Sequence, residues 1–164
     1  MKGTVHYEVR DGIALLTVDN PPVNPLSEGV RNGLYEGIAK AEADSEVVGV
    51  VLTGKGRAFI AGADISEFGG NPSGHSLNEV FKSLEYCSKP LVAAINGITL
   101  GGGLETALCC NYRIASKEAF VGLPEVNLGL LPGGGGTQRL PRLAGPSEAL
   151  SLIHISEPTR LRTI

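Results

Sequence analysis

Glu105 follows three consecutive glycines, Gly101-Gly102-Gly103, and Glu125 closes the triplet Leu123-Pro124-Glu125; these two acids and the glycines beside them are the residues best able to do chemistry. The glycines come after an apolar run, Leu91-Val92-Ala93-Ala94-Ile95, which predicts a buried strand that ends and restarts as a helix. A helix N-terminus presents backbone N–H groups that have no intrahelical acceptor, and the macrodipole adds partial positive charge there. Such a corner can hold an oxyanion. Glu105 then falls on the first helical turn, where a carboxylate is tolerated and stays close to whatever the amides bind. The same residues also describe an ordinary strand-to-helix turn with a capping acid, so other segments must decide between the two.

The segment Gly56-Arg57-Ala58-Phe59-Ile60-Ala61-Gly62-Ala63-Asp64-Ile65 supplies a second turn at which backbone leaves a buried strand. One N–H near Ala63 and one near Gly102 would form a pair able to polarise a carbonyl and hold an enolate oxygen. Asp64, with Glu67 three residues on, has the spacing of a helix-capping pair. Other glycine runs fit their usual ligands poorly. Gly133 to Gly136 lacks the Lys-Ser or Lys-Thr that follows a nucleoside triphosphate loop, and Gly101 to Gly103 lacks the third spaced glycine of a dinucleotide fingerprint. His6 and His75 have no partners at metal-ligand spacing.

These residues need a core to position them, and 164 residues with 42% hydrophobic content suffice for one domain. The formal charge of −3, the scarcity of aromatic residues and the absence of Trp argue against a nucleic-acid surface. Three cysteines, Cys87, Cys109 and Cys110, are odd in number and lack paired metal spacing, which predicts reduced core thiols. No signal segment opens the chain, and no apolar stretch approaches the ~20 residues that span a bilayer. A soluble, intracellular protein is expected. Along the chain, strands are predicted over Thr4 to Tyr7, Ile13 to Val18, Val47 to Leu52 and Leu91 to Ile95. Helices are predicted from Ser27 to about Ala43, from Asp64, and from Ser76 with Glu79 through Cys87. Gly69 to Gly74 reads as a loop. Strands alternating with helices give an α/β layered core.

Three ordered motifs together resemble the enoyl-CoA hydratase/isomerase (crotonase) superfamily: Gly56 to Ile65; Ile95-Asn96-Gly97 with Gly101 to Glu105; and Phe120 to Glu125 through Leu131 to Leu140. Asn20-Pro21-Pro22-Val23-Asn24, Gly122 to Val126 and Leu140-Pro141-Arg142-Leu143 look most like the N-terminal hydratase/isomerase part of peroxisomal-type bifunctional enzymes. The resemblance implies a crotonase-type ββα superhelix, in which the amides of Ala63 and Gly102 form the oxyanion hole and Glu105 and Glu125 are the catalytic acids. It places the backbone of Ala61, Ala63 and Ile65 against the adenine of CoA. Lys55 and Arg57 are candidates for its phosphates, or a solvated loop pair. Two carboxylates holding one water can both take and return a proton, and their proximity should make them titrate as a coupled pair.

The activity implied is addition of water to trans-2-enoyl-CoA to give 3-hydroxyacyl-CoA in fatty-acid β-oxidation, with no metal or redox cofactor. Two alternatives stand beside it. A 3,2-trans-enoyl-CoA isomerase would need chiefly the base matching Glu125, and a CoA-thioester-binding fragment would need no catalysis. The third arises because the family's complete module continues through C-terminal helices that close the acyl pocket and build oligomers, which are expected to be missing here. Leu150 to Arg160 resembles the translation of a sequencing-library adapter, so the catalytic core is expected over residues 1–149 and a non-native tail over 150–164, with no role for His154, Ser156, Glu157 or Arg160. Acyl-CoA is the expected partner, with no nucleic acid and no membrane. A homo-oligomer or a fused dehydrogenase part is expected of the full-length parent, in a peroxisomal or cytoplasmic setting.

Overall fold

A computed structural model describes residues 3–67, 69–70, 73–155 and 159–160. The chain starts as an antiparallel hairpin, β1 (Thr4–Arg10) and β2 (Ile13–Asp19), with Arg10 opposite Ile13 across an Asp11-Gly12 turn. Alternation in β2 sends Ala14, Leu16 and Val18 into the core. Helix α1 (Glu28–Ala43) presents the predicted face of Val30, Leu34, Ile38 and Ala41 to the same core. It lies close on the hairpin because Gly33 and Gly37 lack side chains; a Cβ would meet Val5 at 2.9 Å or Leu16 at 2.8 Å respectively.

From there the chain repeats one unit. Strand β3 (Gly49–Gly54) is followed by β4 (Ala58–Ala61) and α2 (Leu77–Glu85). Then come β5 (Leu91–Ile95), β6 (Ile98–Leu100) and α3 (Gly102–Cys109). A third unit comprises β7 (Tyr112–Ala115), β8 (Phe120–Gly122) and α4 (Gly136–Ala144). The first strand of each unit adds in parallel to one sheet, in the order β1-β2-β3-β5-β7. The second strands pair in parallel in another sheet, β4-β6-β8, whose edge carries β9 (Thr159–Arg160) antiparallel to β8. Parallel neighbours need a crossover connection: β2 reaches β3 through α1, whereas β3 reaches β5, and β5 reaches β7, through a strand of the second sheet plus a helix. The chain therefore winds as the expected ββα superhelix.

Several local expectations need correction. Leu91–Ile95 is a strand, but it does not run into the glycine corner; β6 does. The apolar run is broken by Asn96-Gly97, where the Asn96 side chain accepts from Gly54 N at 3.2 Å and donates to Gly56 O at 3.0 Å, turning the chain from one sheet to the other. Asp64 and Glu67 form no capping box. Asp64 accepts from Ser66 N at 3.0 Å and only a 3-10 turn, Ile65–Glu67, follows, because Glu67 turns instead to Glu28 N on α1. The Ser76–Glu79 box does form, but its helix stops at Glu85, two residues short of Cys87. Of the loop predicted over Gly69 to Gly74, Asn71 and Pro72 lie outside the described residues.

Helix α5 (Pro146–Leu150) and a π-helical turn, Ser151–Ile155, end the main body. Leu152 is buried with Leu104, Leu123, Leu140 and Ala149 in a second, smaller core. Within the segment 150–164, Ser156 to Pro158 and residues 161–164 lie outside the described residues. Cys109 and Cys110 are buried free thiols whose pKa values burial pushes up to about 12, and Cys87 is half-buried and also free.

Candidate active site

The glycine corner is built where β6 ends. Gly101 takes φ +52 as the N-cap of α3 and donates to Gly122 O at 2.9 Å, so the helix starts directly off the edge of the second sheet. Next to it, the end of β4 is held from two sides: Ala61 pairs with Leu100, and Ala61 N and Leu26 N donate to Val23 O at 3.0 Å and Gly62 O at 2.9 Å. Gly62 turns with φ +97 and delivers Ala63 toward α3. The two predicted amides share one corner, because Ala63 N stands 3.7 Å from the point where Gly102 would carry a Cβ. Gly102 is the first residue of its helix, a position whose N–H has no intrahelical acceptor.

Both acids reach this corner. Glu105 is on the first turn of α3 and only 3% exposed. Its Oε1 accepts from Gly136 N at 2.8 Å, and the Gly134 N–H favours its ionised form. Glu125 comes from the other side, on a 3-10 helix, Pro124–Leu128. Its Oε1 lies 3.0 Å from where a Cβ on Gly101 would stand, so no larger residue fits there without displacing it. Its Oε2 is buried with no hydrogen-bond partner among the described residues.

Burial raises the pKa of both carboxyls. For Glu105, the Gly136 and Gly134 N–H groups and the Arg139 charge pull part of the way back. For Glu125, its own backbone N–H opposes the shift and the negative charge of Glu105 adds to it. The two acids therefore feel each other, as a pair that shares a site must. A raised carboxyl pKa means that the folded state is at full strength below the ordinary carboxylate range and loses stability as pH rises through the raised value. Glu125→Gln removes that loss. Its urea midpoint is expected to exceed that of the parent at about pH 7, with the gap closing by about pH 4; equal midpoints at the higher pH would contradict a burial cost at Glu125.

These groups line a cleft of about 570 Å³, together with Ala61, Ile65 and a set of apolar side chains that includes Leu77, Leu128 and Leu131. All three positions expected to meet an adenine, Ala61, Ala63 and Ile65, are on this lining. Lys55 is elsewhere engaged, with Asp19 Oδ2 at 2.6 Å, and His6 meets the same carboxylate at 2.9 Å. His75 stacks on Tyr35 with ring centroids 3.7 Å apart. Among the described residues, no group of three or more His, Cys, Asp or Glu side chains could hold a metal ion.

Two features of the site escaped the sequence reading. The run Gly133 to Gly136, which fits no phosphate loop, cradles a carboxylate of the protein itself; its lack of a basic residue at the phosphate position is consistent with that use. The other is Arg31, buried on the inner side of α1 beside Val30. It donates to Leu26 O at 2.8 Å, His75 O at 2.8 Å, Ser73 O at 3.1 Å and Glu67 Oε2 at 2.6 Å, tying the wall of the cleft to the segment that pairs with Gly62. An arginine next to the apolar stripe of a helix was its only sequence signal.

A buried and a half-buried acid beside two backbone amides, set on a ββα superhelix, can hold an oxyanion and move a proton. Comparison with known proteins agrees. The sequence model of the family described as enoyl-CoA hydratase/isomerase matches residues 8–161, and the chain belongs to that family. It is 48% identical over 161 residues to a peroxisomal bifunctional enzyme of Danio rerio, covering 95% of this chain and 22% of that protein. It is 46% identical over 153 residues to a probable enoyl-CoA hydratase of Bacillus subtilis (strain 168), covering 89% of this chain and 59% of that protein. Among solved structures, Pseudomonas aeruginosa DspI matches with a TM-score of 0.88 at 36% identity, over 96% of this chain and 67% of that one. An enoyl-CoA hydratase from Bacillus anthracis matches with a TM-score of 0.82 at 35% identity, over 93% and 62%. The fold is the crotonase type that the motifs implied. The chain thus spans about a fifth to three fifths of the curated relatives it matches.

Proposed function

We propose that the protein hydrates trans-2-enoyl-CoA thioesters to 3-hydroxyacyl-CoA, as a step of fatty-acid β-oxidation. The observation that carries this reading is the presence of two acids, the buried Glu105 and the half-buried Glu125, on one corner with the Ala63 and Gly102 amides. The thioester oxygen takes the two N–H groups. One carboxylate accepts a proton from water as its oxygen bonds to C3, the electron pair moves through C2 onto the thioester oxygen, and collapse of the enolate takes a proton onto C2 from the other carboxyl. Addition of water changes no net oxidation state, so no redox cofactor is called for, and the two amides and two carboxyls supply the polarisation and proton transfer that a metal would otherwise provide. Ala61 and Ile65 on the cleft lining support adenine contact there, and the apolar lining suits an acyl chain.

A second reading is a shift of a 3-enoyl to a 2-enoyl double bond, favoured by the unpartnered Glu125 Oε2, which can carry one proton between two carbons. Binding of a CoA thioester without turnover is the third. Among the described residues no helix is long and apolar enough to cross a membrane, and the peroxisomal setting named for several relatives supports the same setting here. The fused enzymes among those relatives support a further catalytic part in the parent protein.

The test is to supply trans-2-enoyl-CoA and follow the conjugated enoyl absorbance, with mass detection of 3-hydroxyacyl-CoA. Loss of absorbance with gain of one water is expected. Growth of that absorbance from 3-enoyl-CoA, with no hydration, would favour the isomerase; thioester binding with neither reaction would favour the binding fragment.

A further inference from the structure

The glycine cradle under Glu105 is fixed from behind by a residue that takes no part in the proposed reaction. Arg139, on the first turn of α4, folds back so that Nη1 donates to Gly134 O at 2.7 Å. Its Nε and Nη2 donate to Glu85 Oε1 at 3.1 Å and Oε2 at 2.6 Å, a two-pronged pair with the last residue of α2. Planar bidentate pairing of this kind fixes direction as well as distance. On the other face of the same run, Gly136 N holds Glu105 Oε1 at 2.8 Å. There is no slack between the two faces. A Cβ on Gly134 would collide with the Phe81 ring of α2 and stand 2.5 Å from Glu105 Oε2, and one on Gly135 would collide with Arg139 Nη1.

We propose that Arg139, anchored by Glu85, is a positioning residue of the active site: it locks the Gly134 to Gly136 cradle that orients Glu105 and brings a fixed positive charge to the back of that carboxylate. The pair is too exposed, at 22% for Arg139 and 40% for Glu85, to matter much as a stability device. Its geometry instead joins three elements at one carboxylate: α2 through Glu85, α4 through Arg139, and α3 through Glu105. The charged and titratable groups around Glu105 are Arg139 from α4, Glu125 from the 3-10 helix over the corner, Cys109 on its own helix, and Glu85 from α2 behind Arg139. Arg139 is the cation among them, and it favours the ionised form of Glu105.

The inference rests on the proposed role of Glu105 only in its kinetic readout; the decisive readout needs no turnover. The carboxyl carbon of Glu105 and the amide proton of Gly136 are followed by NMR across pH in the parent protein, Arg139→Gln and Arg139→Lys. In Arg139→Gln the Glu105 titration is expected to move up by about one pH unit, since an opposite charge has been removed. In Arg139→Lys, which keeps the charge and loses the fork, the midpoint is expected to stay while the Gly136 amide shift moves. Kinetically, both variants are expected to lower kcat about tenfold with KM nearly unchanged, the pattern of a group that acts only in the chemical step. If Arg139→Gln does not fold, Glu85→Gln serves, with an expected fall in kcat and a moved Gly136 amide. Titration and amide shift both at parent values in folded Arg139→Gln, or in Glu85→Gln, would overturn the proposal. Absence of hydration by the parent protein would instead sink the hydratase reading, while the titrations still decide the role of Arg139.

Discussion

Glu105→Gln and Glu125→Gln are each expected to lower kcat for hydration of a trans-2-enoyl-CoA by about 10²–10⁴-fold, the range in which a positioned acid or base contributes. The reason is specific to each side chain. Glu105 accepts from Gly136 N with the Gly134 N–H also favouring its ionised form, an arrangement that suits a carboxylate; a Gln that turns its NH₂ toward those donors loses the geometry. Glu125 has its buried Oε2 unpaired, so a proton can reside there, and Gln cannot take one. KM should change little in either case, because in the proposed binding mode the thioester oxygen and the CoA portion are held by backbone. Steady-state kinetics on both variants checks this, and near-normal turnover in both would contradict the assignment. A loss confined to Glu125→Gln, with the 3-enoyl reaction spared in Glu105→Gln, would move the account toward the isomerase.

Gly103→Ala is expected to damage fold and rate together. Gly103 is the residue at which α3 crosses β4, and a Cβ there would be driven into the backbone carbonyl of Ile60, which cannot rotate away as a side-chain tip can. Overpacking at a rigid contact costs about 3 kcal/mol. The functional effect follows from what lies on each side. Pushing α3 off β4 separates Gly102, one residue before, from Ala63, three residues beyond Ile60, and so opens the amide pair. Loss of one such donor lowers kcat by about 10²–10³-fold. Gly49→Ala provides the contrast, since its Cβ would meet Ile13 and Pro90 at ordinary contact distances of 3.5 Å. Urea unfolding and kcat measured on both variants are expected to separate them clearly, and equal behaviour would refute the crossing argument.

Much of this site was legible because its parts are backbone turns, and turns are written in glycine and proline. The Ala63 and Gly102 corner followed from glycines placed after apolar runs, though the strand that enters Gly101 is β6 rather than Leu91–Ile95, and the hairpin and α1 followed from periodicity. What periodicity could not show was the change of sheet at Asn96-Gly97. The apolar residues on either side look alike, and only the Asn96 side chain, crossing to Gly54 and Gly56, marks the break. Glu67 illustrates a different limit. Its spacing from Asp64 suits a local cap, but a buried Arg31 and the start of α1 compete for the same carboxylate and win, a contest between residues far apart in sequence. The cradle under Glu105 was hidden for the same reason, since Gly133 to Gly136 and Glu105 belong to different units of the superhelix.

The central claim is that Glu105 and Glu125 act as one unit on one water. It is tested most directly by measuring kcat/KM for hydration in the parent protein, in each Gln variant and in the Glu105→Gln/Glu125→Gln double variant. If the two acids share the water, the second substitution removes little that the first had not already removed, and the double variant is expected to fall no more than about tenfold below the weaker single variant. Losses that multiply, so that the double variant falls by the product of the two single effects, would show two independent contributions and contradict the account.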